Sequence, residues 1–298
     1  MRAPENNPGG TIDLNGRRLS RMGYGMGSLG RASDSSDERQ ESVGLLHRAL
    51  ELGVQMFDTA HFYGAGHSNA LLAEAFADRR DDVFLATKVG ARVVTGGKVP
   101  MAAAQKPREL RESVEANLES LRTDYLDLVY MRRMDFKPGL VVGEDQLVPL
   151  EDQLAELISL REEGKIRGIG LSHVRPEQVE SALPAGILAV QNIYNLLDRH
   201  DEPLLQLTRA HGAAWIPYFP LGGGGEFFGL PRVTEDEGVV DVARELGATP
   251  QQVGLAWLLA RSSNTMVISG TSSVEHLEEN LAAGALALSP EMLERLEG

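Results

Sequence analysis

Short apolar runs recur at steady intervals along this chain, near Met22 to Gly25 and then at 54–58, 83–88, 126–131, 166–171, 188–191, 214–218 and 265–269. Between them lie segments of helical period such as ESVGLLHRALELG, ELRESVEANLESL, LEDQLAELISLREEG and VVDVARELG. Strand, helix and strand in regular alternation imply parallel pairing, because a parallel neighbour is reached only through a crossover. The chain has 298 residues and no Pro/Ser-rich linker. Eight such units therefore favour an α/β fold of the (β/α)8 TIM-barrel type over an open doubly wound sheet, since a closed barrel leaves no edge strand to protect. The expectation is one domain over residues 1–298, with 1–10 as a loose leader.

Local signals agree with that frame. TIDLNGRRLSRMGYG places Asn15-Gly16 between two short runs, a strong hairpin signal ahead of the barrel. Thr249-Pro250 with Gln252, and Ser289-Pro290, each put a hydroxyl at a helix cap and proline at the first helical position. The connections 132–149 and 222–234 exceed the usual βα loop of about 2–6 residues, and both follow expected strands. They should lie at the C-terminal face, where barrels carry their active sites.

Composition removes several classes of function. There are 29 Lys plus Arg against 43 Asp plus Glu, a net charge of −14, and no basic stripe for a phosphate backbone, so nucleic acid is not an expected partner. No run approaches the roughly 20 apolar residues of a membrane span, and MRAPENNPGG lacks the apolar centre of a secretory signal; a cytoplasmic location is expected. The absence of cysteine excludes disulfides, thiolate metal sites and cysteine nucleophiles. His61 and His67 flank Tyr63 without a third ligand at metal spacing, so no metal is expected, while His61 is a candidate for the substrate pocket. Met22, Met26, Met131, Met134, Trp215 and Trp257 read as packing.

The chemistry concentrates at FDTAHFYG (57–64) and LATKVG (85–90), which set Asp58, Tyr63 and Lys88 on adjacent strand ends. A free phenol ionises near pH 10. An ammonium beside it favours the phenolate, and a carboxylate paired to that ammonium fixes it in place. Spacing alone leaves two readings: a tuned acid/base trio, or a loop-capping Asp58, a rim Tyr63 and a solvated Lys88.

FDTAxxYG followed by T-K at the next strand end resembles the aldo-keto reductase family, over nearly the whole chain. The resemblance implies a (β/α)8 barrel closed below by a hairpin, binding an extended nicotinamide dinucleotide without a Rossmann fingerprint. It implies three catalytic residues, Asp58, Tyr63 and Lys88. Ser172 and His173 in GIGLSH, where the family has Ser-Asn, would hold the carboxamide with Gln191 of QNIYN. Tyr218 in PYFPLGG would stack on the nicotinamide, and the backbone of Phe219, Pro220, Leu221 and Gly222 would line the pyrophosphate, with Gly25 and Asp58 also in the cofactor set. The adenosine end would fall on VISGTSSVEHLEEN, through Gly270, Thr271, Ser272, His276, Glu279 and Asn280. His276, Glu279 and Asn280 share a helix face just after a hydroxyl-rich start; Ser272 and Ser273 have the alternative of serving as N-caps.

Two positions depart from the family pattern. Arg132 in YLDLVYMR stands where the catalytic histidine is expected, while Arg133 should point to the other face of the strand. An arginine is always charged and offers a planar fork of donors, so it polarises a carbonyl oxygen while preferring an anionic group. Gly270 and His276 occupy positions where many relatives have Lys and Arg for the 2′-phosphate, leaving NADPH ahead of NADH by a narrower margin. Arginine at 132, GTSSVxHLxEN and GATPxQVxLAWLLxRS (247–262) resemble the bacterial pyridoxal reductases of that family. The implied reaction is reduction of a small aldehyde or ketone, with pyridoxal to pyridoxine the leading case, since pyridoxal carries a phenolate ortho to its aldehyde. The alternative is a regulatory subunit like the channel-associated β-subunits, which bind the cofactor with little turnover. A third is a phosphosugar barrel enzyme unrelated to reductases.

Overall fold

The computed structural model describes residues 7–31, 35–94, 101–224 and 229–298. Strands β1 (Thr11–Leu14) and β2 (Arg17–Ser20) form the expected hairpin. Its turn residues Asn15 and Gly16 both have positive φ, 54° and 75°, as the tight turn matching strand twist requires.

Eight strands then build a parallel sheet: β3 (Met22–Gly25), β4 (Met56–Asp58), β5 (Phe84–Val89), β8 (Leu128–Arg132), β9 (Ile169–Ser172), β10 (Ile187–Gln191), β11 (Ala214–Trp215) and β14 (Val267–Ser269). Trp215 pairs with Thr265 and receives the Met266 N–H at 2.9 Å, which joins the first and last strands of the row and closes a (β/α)8 barrel. Each of the eight expected runs overlaps one of these strands. The strands between in number are short ribbons on the loops: β6 (Ala91–Val93) with β7 (Met101–Ala103), and β12 (Gly222–Gly223) with β13 (Leu230–Arg232). The first ribbon has no clear signal in the sequence. Residues 225–228 of the glycine-rich connection and residues 1–6 of the leader lie outside the described residues.

Alternation along the strands decides what the barrel holds. Met56, Phe84, Ala86, Leu128, Tyr130, Ala189, Ala214, Ile216, Met266 and Ile268 form the interior cluster, stoppered by Leu14 and Leu19 of the hairpin. Their neighbours in sequence, Phe57, Leu85, Val129, Val190, Trp215 and Val267, face the helices. Gly170 makes room for Tyr130, since a Cβ there would meet that ring at 2.6 Å. Leu14 and Leu19 are 3% and 1% exposed, and burial of a leucine is worth about 1.5–3 kcal/mol, so the stopper is a stabilising part of the barrel.

Helices follow their sequence signals. Pro250–Arg261 starts with a capping box of Thr249 and Gln252, and Pro290–Glu297 with Ser289 accepting the Met292 N–H. Helices Ser36–Glu51, Pro107–Leu121, Leu150–Glu162 and Glu237–Leu246 cover most of the four periodic segments, three of which run one or two residues past the helix end. Met22, Met26, Met131, Met134, Trp215 and Trp257 are all buried. Among the described residues no helix is long and apolar enough to cross a membrane.

Candidate active site

The same two-residue period that fills the barrel aims the site. One step beyond Met56 is Asp58, two steps beyond Phe84 is Lys88, beyond Leu128 and Tyr130 is Arg132, beyond Ala189 is Gln191, and beyond Ile216 is Tyr218. Asp58, Lys88, Arg132 and Gln191 sit in interior register at the C-terminal ends of their strands, and Tyr218 lies three residues beyond β11, bridged to Ile193. Arg133, out of that register, turns to the helix layer, donating to the Val148 carbonyl at 2.8 Å, to Gln153 Oε1 at 2.6 Å and to Asp135 at 2.8 Å.

Lys88 and Asp58 form a buried ion pair, with side chains 4% and 3% exposed. Lys88 Nζ also donates to the Thr59 carbonyl at 3.1 Å, and Gln191 Nε2 donates to Asp58 Oδ2 at 3.1 Å. Burial opposes the ammonium's charge, but Asp58 and Tyr63 outweigh it and hold Lys88 above its ordinary range. Tyr63 opens a short 3-10 turn, Tyr63–Gly66, with its ring centre 5.2 Å from Lys88 Nζ. Gly64, at φ 62°, lies so close to Gly30 that a Cβ would meet the Gly30 carbonyl oxygen at 2.3 Å. The loop carrying the phenol is thus clamped by backbone.

Behind the pair runs a buried polar network that sequence reading missed. Thr59 Oγ1 donates to Asn69 Oδ1 at 2.8 Å, Asn69 Nδ2 to Asn117 Oδ1 at 3.0 Å, and Thr87 Oγ1 to the same oxygen at 2.7 Å. Thr59 and Thr87 adjoin Asp58 and Lys88, so the network holds both strand ends from the outer side. Polar residues scattered through three elements give no linear signal.

Arg132 lies across the opening, its guanidinium carbon 5.5 Å from the Tyr218 ring centre. No carboxylate pairs with it among the described residues, and its Nε is buried without a partner. A half-buried guanidinium that bonds the Tyr218 hydroxyl but has no carboxylate partner among the described residues is suited to an anionic group or a developing oxyanion. His61 is half-buried at a cleft of about 500 Å³ that Arg92, Glu109, Glu112 and Ser113 also line, and burial lowers its pKa. Among the described residues no group of three His, Asp or Glu could hold a metal ion.

Two buried atoms lack partners where the carboxamide is expected: Ser172 Oγ and Gln191 Oε1. The Gln191 amide is oriented by its donation to Asp58, so its oxygen is left to accept. A primary carboxamide offers the complement, an N–H for Gln191 and a carbonyl for Ser172, and the residues present fit that group. His173 stands differently. Its Nε2 bonds the Phe136 carbonyl at 2.9 Å and its Nδ1 the Tyr218 hydroxyl at 3.4 Å, so both ring nitrogens are taken. Burial, with the Arg132 charge added, pulls the imidazole below its ordinary range despite the Phe136 carbonyl. Phe136, which lies against the His173 ring at 4.2 Å, was not singled out in the sequence.

Tyr218 is anchored through its N–H to the Asn192 carbonyl at 3.0 Å, and burial raises its phenol. Phe219 follows with φ 55°, then Pro220 and Leu221, and Gly222 at φ 71° approaches the Pro231 carbonyl too closely for any Cβ. Gly270 packs on Gly25, whose Cα partner in the sheet is Asp58, and a Cβ on Gly270 would meet the Gly25 oxygen at 2.2 Å. Thr271 accepts the Ser273 N–H at 3.1 Å, and Ser273 caps helix Val274–Ala282. Ser272 and His276 are exposed beside that helix start, and Asn280 is half-buried one turn on. Glu279 accepts from Thr249 Oγ1 at 2.7 Å, which ties the expected adenosine helix to the neighbouring helix Pro250–Arg261.

Comparison with known proteins agrees with this arrangement. The family described as "Aldo/keto reductase family" matches residues 21–298. Pyridoxine 4-dehydrogenase of Escherichia coli (strain K12) is 40% identical over 291 residues, 97% of each chain. The aldo/keto reductase from Klebsiella pneumoniae in complex with NADP and acetate superposes with a TM-score of 0.77 at 25% identity, covering 96% of this chain and 94% of that one. A thermostable aldo-keto reductase, Tm1743, solved with the inhibitor epalrestat, gives 0.78 at 31% identity over 96% and 98%. The barrel with its hairpin, the paired Asp58 and Lys88 beside Tyr63, and a family match over almost the whole length converge: this chain is an oxidoreductase belonging to the aldo/keto reductase family.

Proposed function

We propose that the protein reduces a small aldehyde with NADPH, and that pyridoxal, reduced to pyridoxine, is its leading substrate. The observation that carries this reading is the Arg132 guanidinium, without a carboxylate partner among the described residues and standing at the end of the strand next to that of Lys88. The 40% identity to pyridoxine 4-dehydrogenase supports the substrate, and the NADP complex of the Klebsiella relative supports the cofactor.

Ser172 Oγ and Gln191 Oε1 would hold the carboxamide, and Tyr218 would provide the face on which the nicotinamide rests. Phe219 to Gly222 would follow the pyrophosphate, and the helix start at Thr271 to Ser273, with His276 beside it, would face the 2′-phosphate. The bound cofactor supplies a hydride to the carbonyl carbon. Tyr63 donates its hydroxyl proton to the carbonyl oxygen. Lys88, kept cationic by Asp58, stabilises the phenolate left behind. Arg132 donates to the oxygen as negative charge develops there, and its second donor reaches the ortho phenolate of pyridoxal. These donors are in place before reaction, so little reorganisation is needed.

The test is oxidation of NADPH and of NADH by the purified protein with a panel of aldehydes, including pyridoxal and its 3-methoxy analogue. The reading predicts NADPH turnover, with pyridoxal preferred to the analogue. Cofactor binding without turnover of any aldehyde would favour the regulatory-subunit reading.

A further inference from the structure

We infer that His173 is a positioning residue, which locks the Tyr218 ring to the 133–149 loop instead of gripping the cofactor. The inference rests on Tyr218 being the surface against which nicotinamide packs. A carbonyl oxygen only accepts, so the bond from Nε2 to the Phe136 carbonyl places the imidazole proton on Nε2. In the neutral ring Nδ1 is then an acceptor, and the Tyr218 hydroxyl is its donor. No ring nitrogen is left for a carboxamide, which Ser172 and Gln191 are already equipped to hold.

The backbone at His173 is shaped for this task. Its φ of 56° lies in the left-handed region that a non-glycine residue adopts only where surrounding contacts impose it. His173 follows Ser172, the last interior position of β9, and its side chain lies on Phe136, where the rings stack at 16°. Arg175 lies 4.5 Å from the centre of the same Phe136 ring, and Gln178 and Arg133 both bond Asp135 at 2.8 Å. The loop base is thereby fixed to β9 and its following helix. From His173 the chain of contacts continues through Tyr218 to Arg132. One buried imidazole therefore links the nicotinamide surface, the oxyanion-binding cation and the loop that walls the site. Cofactor and substrate subsites are set by a single joint.

A double-mutant cycle on NADPH affinity tests the link, using His173→Gln, Tyr218→Phe and the double variant, with NADPH fluorescence as the readout. Gln keeps a donor for Phe136 but offers Tyr218 no acceptor at the Nδ1 position, and Phe keeps the ring while removing the hydroxyl. Each single change should weaken binding by at least about 3-fold, the low end of one neutral hydrogen bond, and the double variant should match Tyr218→Phe within about twofold, because His173 acts through the hydroxyl that this variant lacks. His173→Leu takes the place of Gln if that variant does not fold, with the same expectation. Effects that multiply, or a Tyr218→Phe variant with unchanged affinity, overturn the inference. Failure of the unaltered protein to bind NADPH would instead refute the proposed function, so the two outcomes are distinct.

Discussion

Replacing Arg132 with histidine restores the residue that the family pattern places there and removes the cation from the substrate opening. In the native site the guanidinium has no carboxylate partner among the described residues, so its charge is available to substrate. Pyridoxal presents two oxygens on adjacent carbons, and a planar fork can meet both. A largely neutral imidazole meets the carbonyl alone. The loss is one hydrogen bond to a charged group, about 1.5–3 kcal/mol, which corresponds to a roughly 10- to 150-fold fall in kcat/KM for pyridoxal. A neutral aldehyde of similar size keeps its one donor, and its kcat/KM should change by no more than about fivefold. Loss of the cation 5.5 Å from the Tyr218 ring acts on the cofactor surface, costs about 0.5–1 kcal/mol and is common to both substrates. The assay is initial-rate NADPH oxidation with each aldehyde, read as the ratio of the two kcat/KM values. A ratio that does not move, or two substrates that fall together, would refute the role of Arg132 in recognising the phenolate.

Lys88→Met leaves the carboxylate of Asp58 buried with only Gln191 donating to it, and removing one member of a buried pair costs about 3–5 kcal/mol; urea unfolding should show that deficit, and a loss below about 1 kcal/mol would contradict the burial of the pair. His173 is buried and its folded-state pKa is lowered, first by burial and then by the Arg132 charge. As pH falls below about 6.5 the unfolded chain takes up this proton first, so the stability contribution of His173 is complete above that value and is lost toward the lower folded pKa. His173→Gln should flatten that part of the curve of urea midpoint against pH, and an identical slope in both proteins would contradict the assignment.

Much of the barrel was legible because its signals are local and periodic. Asn15-Gly16, Thr249-Pro250 and Ser289-Pro290 specify their turns and caps through a few neighbouring backbone groups. Lys88 and Arg132 were legible from the family resemblance of LATKVG and YLDLVYMR, and the two-residue period of a strand then set Arg133 on the opposite face. What the sequence did not disclose depends on contacts across space. His173 follows Ser172 directly and looked like a second carboxamide ligand, yet its ring nitrogen bonds the carbonyl of Phe136, 37 residues earlier in the chain. Asn69 and Asn117 lie on separate helices, and only closure of the barrel brings them behind Asp58 and Lys88. The ribbon Ala91–Val93 with Met101–Ala103 pairs small and mixed residues that carry no strand period of their own.

The most direct measurement is made on Tyr63→Phe, which removes one oxygen from a ring that stays in place beside Lys88. Proton donation in the transition state is worth roughly 10²- to 10⁴-fold, so pyridoxal reduction should fall by that factor while the NADPH dissociation constant stays within about twofold. Turnover within about threefold of the native rate would mean that the proton comes from elsewhere, and Tyr63 would have no part in the chemistry.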